Sequence, residues 1–215
     1  MNKNEIRGEL GINFALLEDN ILKNSNLNDM FELEDIKDRK LYINDDIEAY
    51  LAKEICYHIM RYNRLDKGIE VKDRTPITIY LNSCGGDVSS GLSICDMINC
   101  SQTPIHIVNM GNALSMGAII FTCGHIRYSM PNASIMYHSG SCGLFNTSDK
   151  VKDTIEHQSK VDEKIKSMII EKTQITKKLY NQKDRVEWYL SADEGKKLGV
   201  IDKIIGIDCN VNEVV

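Results

Sequence analysis

Ser115 lies in Gly111-Asn112-Ala113-Leu114-Ser115-Met116-Gly117-Ala118, between the alternating β-branched run 105–110 and the continuous apolar run 116–123. That order predicts a strand, a turn carrying a serine, and a buried helix. A hydroxyl at such a junction is exposed, and backbone N–H groups converge there with the positive end of the helix. Negative charge developing on an attacked carbonyl oxygen is stabilised at that place. The chemistry indicated is acyl transfer by a serine nucleophile. A serine hydroxyl is weak until a base within hydrogen-bond reach takes its proton. Met136-Tyr137-His138 follows downstream, and a second glycine turn, Asn82-Ser83-Cys84-Gly85-Gly86-Asp87, lies upstream.

Those groups need elements to hold them. Lys40–Ile43 reads as a short apolar strand. Over 46–60, Ile47, Leu51, Ile55, Ile59 and Met60 have helical spacing, and a polar connection covers 61–75. Pro76 opens a strand over 77–81, an entry position where the missing N–H costs no ladder bond. A helix is expected over 88–100, with Val88, Leu92, Cys95 and Ile98 on one face. Pro104 introduces the strand before Ser115, and Pro131 precedes a strand over 134–138. From 149 to about 178 a long helix carries the stripe Val151, Ile155, Val161, Ile165, Met168 and Ile169, with charge on its other faces. A helix of that length cannot be buried throughout in so small a domain, so part of it is expected to lie outside the core. Ser191-Ala192-Asp193-Glu194 reads as a capping box opening a short helix that ends near Gly199, and 200–205 as a closing strand. Repeated strand–turn–helix units make the fold α/β, with functional groups on the turns at strand ends.

Composition excludes several classes. The 215 residues suffice for one domain, and 42% hydrophobic with 27% charged residues is ordinary globular usage. A net charge of −5 gives no reason to expect a nucleic acid as partner. No apolar run approaches a membrane span, and the charged N-terminus lacks the apolar region of a secretory signal. Seven cysteines without a Cys-x-x-Cys pair read as free thiols in apolar surroundings, not as a zinc site or disulfide framework. The expected compartment is the cytoplasm. Gly85-Gly86 has no Lys-Ser/Thr after it, so a P-loop is a poor reading.

Asn82-Ser83-Cys84-Gly85-Gly86, Gly111 to Ala118, Met136 to His138, and Leu190-Ser191-Ala192-Asp193-Glu194 followed by Leu198-Gly199-Val200-Ile201-Asp202 together resemble the proteolytic subunit of the Clp protease, ClpP. The four motifs occur in order from about residue 39 to 205. The resemblance implies the ClpP/crotonase-like fold of repeated ββα units, with a projecting handle at about 144–180. It implies residues 39–215 as the peptidase domain, and 1–38 as a divergent N-terminal segment in the place of the axial loops. It implies a serine endopeptidase acting on unfolded polypeptides and short peptides, assembled as stacked heptameric rings. The partner would be an AAA+ unfoldase of the ClpX or ClpA/ClpC type, which alone uses ATP, and the peptidase would need no metal or other cofactor. The nucleophile then falls at Ser115, the general base at His138, and the oxyanion-hole N–H groups at Gly86 and Met116. The residue types agree: His138 is the one histidine of five at a strand end beside glycine-containing turn sequence. His58, His106, His125 and His157 read as structural or solvated, and Trp188 as core or interface.

The chain departs from the family pattern at several places. Glu187 occupies the position where the family places the triad aspartate, Cys84 stands where proline is usual, and Ser139-Gly140-Ser141-Cys142-Gly143 lacks a proline. Glutamate can hold the base's Nδ1 proton as aspartate does. Asp184, three residues earlier, is the rival, and a third possibility is that neither acid reaches His138. Two other functions compete with the peptidase. One is a catalytically silent ring subunit. The other is a crotonase-type acyl-CoA enzyme, for which Asp87 is the only carboxylate beside the glycine turns.

Overall fold

A parallel sheet carries both turns. The computed structural model describes residues 27–140 and 147–214. The chain divides into two units between Arg39 and Lys40. In the first, helix α1 spans Leu27–Lys37, closed by Asp38 N–H donating to the Glu34 carbonyl at 2.9 Å. The axial role expected of the N-terminal segment rests on residues 1–26 as well, which lie outside the described residues, as do Ser141, Cys142 and Gly143 after the base.

In the second unit the order is β1 (Lys40–Ile43), α2 (Ala49–Leu65), β2 (Ile77–Ser83), α3 (Val88–Cys100), β3 (Ile105–Leu114), α4 (Met116–Cys123), β4 (Ile126–Ser129), β5 (Ser134–Tyr137), α5 (Ser148–Lys172), α6 (Lys177–Lys183), β6 (Trp188–Leu190), α7 (Ala192–Lys197) and β7 (Lys203–Ile204). The sheet runs β1-β2-β3-β4-β7, with β5 paired to β3 and β6 to β5. All pairs are parallel except β5–β6. Among the described residues no helix is long and apolar enough to cross a membrane.

The strand before Ser115 is longer than its β-branched run. β3 pairs with β4 over His106 to Asn109, then with β5 over Asn112 to Leu114. Gly111 to Leu114, expected as turn, is therefore ladder, and the turn is narrowed to Ser115. The expected strand at 134–138 ends at Tyr137, leaving His138 just beyond the ladder. β4 and β6, of four and three residues, have no counterpart among the expected strands.

Helices cover the sheet as their apolar faces dictate. α2 buries Ala52, Ile55, Ile59 and Tyr62 at i, i+3 and i+4 spacing, and Tyr62 carries it past the expected end at Met60. α4 is buried at all eight positions, which accounts for an apolar run without polar relief. The expected helix from 149 to about 178 is two helices. Thr173 Oγ1 donates to the Ile169 carbonyl at 2.7 Å and accepts from Ile175 N–H at 3.1 Å, closing α5. Thr176 then caps α6, accepting from Leu179 N–H at 3.2 Å. The capping box forms at Ser191, with Glu194 accepting from Ser191 N–H at 2.9 Å. The closing strand is shorter than 200–205, since only Lys203 and Ile204 pair with β4. Arg127 fastens this last segment: its Nε and Nη2 meet the Asp202 carboxylate at 2.9 and 2.7 Å, and Nη1 donates to the Lys172 carbonyl at 2.9 Å.

Candidate active site

Ser115 is one of two non-glycine residues with positive φ among those described, at φ 53° and ψ −121°. Such a conformation is costly for a residue with a Cβ and is held by its surroundings. Its N–H donates to the Met136 carbonyl at 2.8 Å, tying the turn to the end of β5. Ser115 is the N-cap of α4, but its hydroxyl makes no cap bond. It meets His138 Nε2 instead, at 2.7 Å. The strand pairing of β3 with β5 is what brings together two residues 23 positions apart. Both are half-buried, so the pair is reachable from solvent.

Two glycines complete the turn. A Cβ on Gly85 (φ 110°) would stand 2.7 Å from the Ser115 Cβ and 3.1 Å from Met116 N, so the upstream turn packs directly under the serine. Gly86 (φ 149°) is held by the backbone of Ile47, whose N–H donates to Gly85 O at 2.8 Å and whose carbonyl accepts from Asp87 N–H at 2.7 Å. A Cβ at Gly86 would overlap that backbone. Neither Gly86 N–H nor Met116 N–H has an acceptor among the described residues. Both donors are thus free on the two turns that meet at Ser115. Ser83 sets the upstream turn, donating from Oγ to the Asp45 carbonyl at 2.7 Å and accepting from Gly85 N–H at 3.1 Å. Asn82 Oδ1 accepts from Asn112 N–H at 3.0 Å, bridging it to β3. Asn82 and Ser83 belong to the glycine-turn motif, but their partners Asn112 and Asp45, and the role of Ile47, have no signature in sequence, because the fold brings that backbone near.

Asp87 is committed elsewhere. Its Oδ1 accepts from Ser90 N–H at 2.8 Å and Ser90 Oγ at 2.6 Å as the N-cap of α3. Those hydrogen bonds from Ser90 hold its carboxyl below the ordinary range.

The third member is less simply placed. The last β5–β6 pair is Tyr137↔Trp188, and His138 and Glu187 are the next residues outward on the two chains. The Glu187 carboxylate is exposed and accepts from the Tyr189 hydroxyl at a long 3.4 Å. Alternation along β6 explains this: Trp188 is buried against Tyr137, so Glu187 and Tyr189 share the outer face. Asp184, at the C-cap of α6, is half-buried and lines the cavities that reach His138. Among the described residues no carboxylate is hydrogen-bonded to His138. The cavity beside Ser115 has a volume of about 130 Å³.

Three of the other histidines have structural partners. His125 Nδ1 accepts from Ile105 N–H at 2.8 Å, His106 packs on Tyr128, and His58 lies between Tyr57 and Tyr62. His157 is exposed on α5.

The model of the Clp protease family matches residues 24–208. The ATP-dependent Clp protease proteolytic subunit 2 of Corynebacterium efficiens is 28% identical over 173 residues, covering 79% of this chain and 83% of that protein. A solved variant of ClpP1 from Listeria monocytogenes superimposes with a TM-score of 0.72 at 24% identity, over 86% of this chain and 99% of the other. At that identity the likeness shows the fold.

Proposed function

This chain belongs to the Clp protease family and is a serine peptidase, a proteolytic subunit of the Clp type, and on that premise we propose that Ser115 is its nucleophile and His138 its general base. The observation that carries the assignment is the 2.7 Å contact between His138 Nε2 and Ser115 Oγ on a strained turn. His138 Nε2 takes the hydroxyl proton as the Oγ–carbonyl bond forms, and the carbonyl electron pair moves onto oxygen. The Gly86 and Met116 N–H groups receive that oxyanion, aided by the positive end of α4. The imidazolium then gives its proton to the leaving amine as the C–N bond breaks. Water, activated by the same imidazole, releases the acyl group.

Glu187 completes the triad by turning from Tyr189 toward the imidazole. Its place, next outward from the last strand pair as His138 is, supports that role. Asp184 is the competing acid, favoured by the cavity it shares with His138. Hydrolysis itself needs no cofactor. ATP is spent by an unfoldase of the ClpX or ClpA/ClpC type, which feeds unfolded polypeptide to the peptidase in the cytoplasm. The subunits assemble as two stacked heptameric rings joined through α5. That helix buries only Ile169 within the chain and leaves Ile155 52% exposed, as a helix awaiting a second copy would.

A fluorophosphonate probe tests the central assignment. It should label the wild type once per chain at Ser115 and leave Ser115→Ala unlabelled, with peptide hydrolysis lost in that variant while its oligomeric size stays the same. Labelling or hydrolysis that persists in Ser115→Ala overturns it. A wild type that forms rings but takes no label would be the catalytically silent subunit.

A further inference from the structure

Two buried hydroxyls link α4 to the end of β5. Thr122 and Tyr137 are both buried, and their oxygens stand 2.7 Å apart. Thr122 Oγ1 also donates to the Ala118 carbonyl at 2.7 Å. A carbonyl can only accept, so the one hydroxyl hydrogen of Thr122 is committed there, and the proton between the two hydroxyls comes from the phenol. Burial, foremost, pushes that phenol up, which keeps it a donor. The path continues to the turn, since Ala118 N–H donates to the Ser115 carbonyl at 3.0 Å. From the other side, Ser115 N–H donates at 2.8 Å to the carbonyl of Met136, the residue before Tyr137. These bonds close a ring through Ser115, Met136, Tyr137, Thr122 and Ala118, with His138 attached next to Tyr137.

The bond from Ser115 N–H to Met136 is, alone, a single tether about which α4 and the end of β5 can turn. Thr122 lies about 10 Å further along α4, at a helical rise of about 1.5 Å per residue. A second, directional tether at that distance fixes the angle between the element that carries the nucleophile and the one that carries the base. Apolar packing of α4 supplies cohesion without direction. Ser115, at φ 53°, needs such a restraint, because strained backbone persists only where its surroundings impose it. Resting on the assignment of Ser115 and His138 above, we infer that Thr122 and Tyr137 are positioning residues for this reaction: their hydroxyl pair sets the distance and angle at which His138 Nε2 meets Ser115 Oγ. Both act through the backbone of the turn and of the base. The Tyr137 ring also packs on Trp188, with centroids 6.2 Å apart, and phenylalanine would keep that contact while losing the hydroxyl.

A double-mutant cycle on the full-length protein tests this. Fluorophosphonate labelling, read by intact mass, isolates the attack: Ser115 Oγ bonds to phosphorus, His138 takes the proton and fluoride leaves. Tyr137→Phe, Thr122→Val and the double variant should each label at least about tenfold more slowly, given that a misplacement of about 1 Å costs about 10²-fold. The double variant should be no slower than either single one, because all three open the same ring. Thr122→Ser keeps the hydroxyl and should recover most of the rate lost in Thr122→Val. Urea unfolding should give a different order. Thr122→Val is the least stable, since it leaves the phenol buried without a partner, whereas the double variant lies near the wild type. Rates that follow stability, with the double variant labelling like the wild type, overturn the positioning role. An unchanged rate in Tyr137→Phe does so too, even where Thr122→Val fails to fold. A wild type that takes no label overturns the peptidase assignment and this inference with it.

Discussion

At the scale of single residues, the acid and the oxyanion donors of the proposed site are each testable alone. If Glu187 orients His138, Glu187→Gln keeps the shape but supplies the wrong hydrogen-bond partner, and kcat should fall roughly 10³–10⁴-fold. Asp184→Asn should change kcat little. If kcat instead collapses in Asp184→Asn and is untouched in Glu187→Gln, the acid is Asp184. Gly86 is the second test. A methyl group there would overlap the Ile47 backbone. Gly86→Ala should displace one oxyanion donor and lower kcat by about 10²–10³-fold, with KM changed much less. Unchanged kcat in a folded Gly86→Ala would remove Gly86 from the mechanism. Ser115, the glycines and His138 were legible before any fold was known, because turn chemistry is written in adjacent residues. Glu187 could be named only from its place in the resembling motif, with Asp184 as its rival, since what faces it through space belongs to another part of the chain.

Elements decide whether the residues meet and whether the subunits do. β3 holds Ser115 to β5 only because it changes partners midway, from β4 to β5. Sequence periodicity shows a strand but not which strands flank it, so this change was invisible. The break between α5 and α6 was hidden for a related reason. Thr173 and Thr176 continue a helical pattern as letters, but their hydroxyls bond backbone and end one helix while opening another. α5 exposes a charged surface around a narrow apolar stripe, with Ile155 uncovered in the single chain. Reversing Lys152, Lys160 and Lys164 to glutamate should shift the protein from double to single rings or smaller species in sedimentation velocity. A triple variant that sediments like the wild type would show that α5 is not the joint. Asp202→Asn loosens the clasp on Arg127. Asp202 is 37% exposed, so the loss in urea unfolding should be about 1–2 kcal/mol, below that of a fully buried pair.

For the whole molecule, three histidines make stability depend on pH. Burial, foremost, holds His58, His106 and His125 below the usual imidazole value, with Arg61 adding to the effect at His58, His125 and Lys203 at His106, and Lys172 at His125. The folded state therefore resists protons that the unfolded chain accepts. Their contribution is complete above the unfolded value of about 6.5 and is lost as pH falls through the lowered folded values. The urea midpoint should decline between about pH 6.5 and 5, before the carboxylates titrate. His125→Gln should flatten part of that decline. A midpoint constant across this interval would show that these sites take up protons equally in both states.

By itself the sequence determined much of what depends on neighbours along the chain. The strand–serine–helix junction at Ser115, the glycine turn at 85–86, the prolines at the strand entrances and the capping box at Ser191 were all set by local conformational preference and apolar spacing. The glycine turn, the serine junction, Met136 to His138 and the stretch opened by the Ser191 capping box, in that order, were enough to indicate the family and its chemistry. Tertiary structure decided what depends on neighbours through space. It set the contact of His138 with Ser115, the placing of Glu187 on the outer face of β6, and the meeting of the Thr122 and Tyr137 hydroxyls. Side-chain direction and partner choice follow from sheet register and helix packing. These are properties of the assembled core, and no window along the chain contains them.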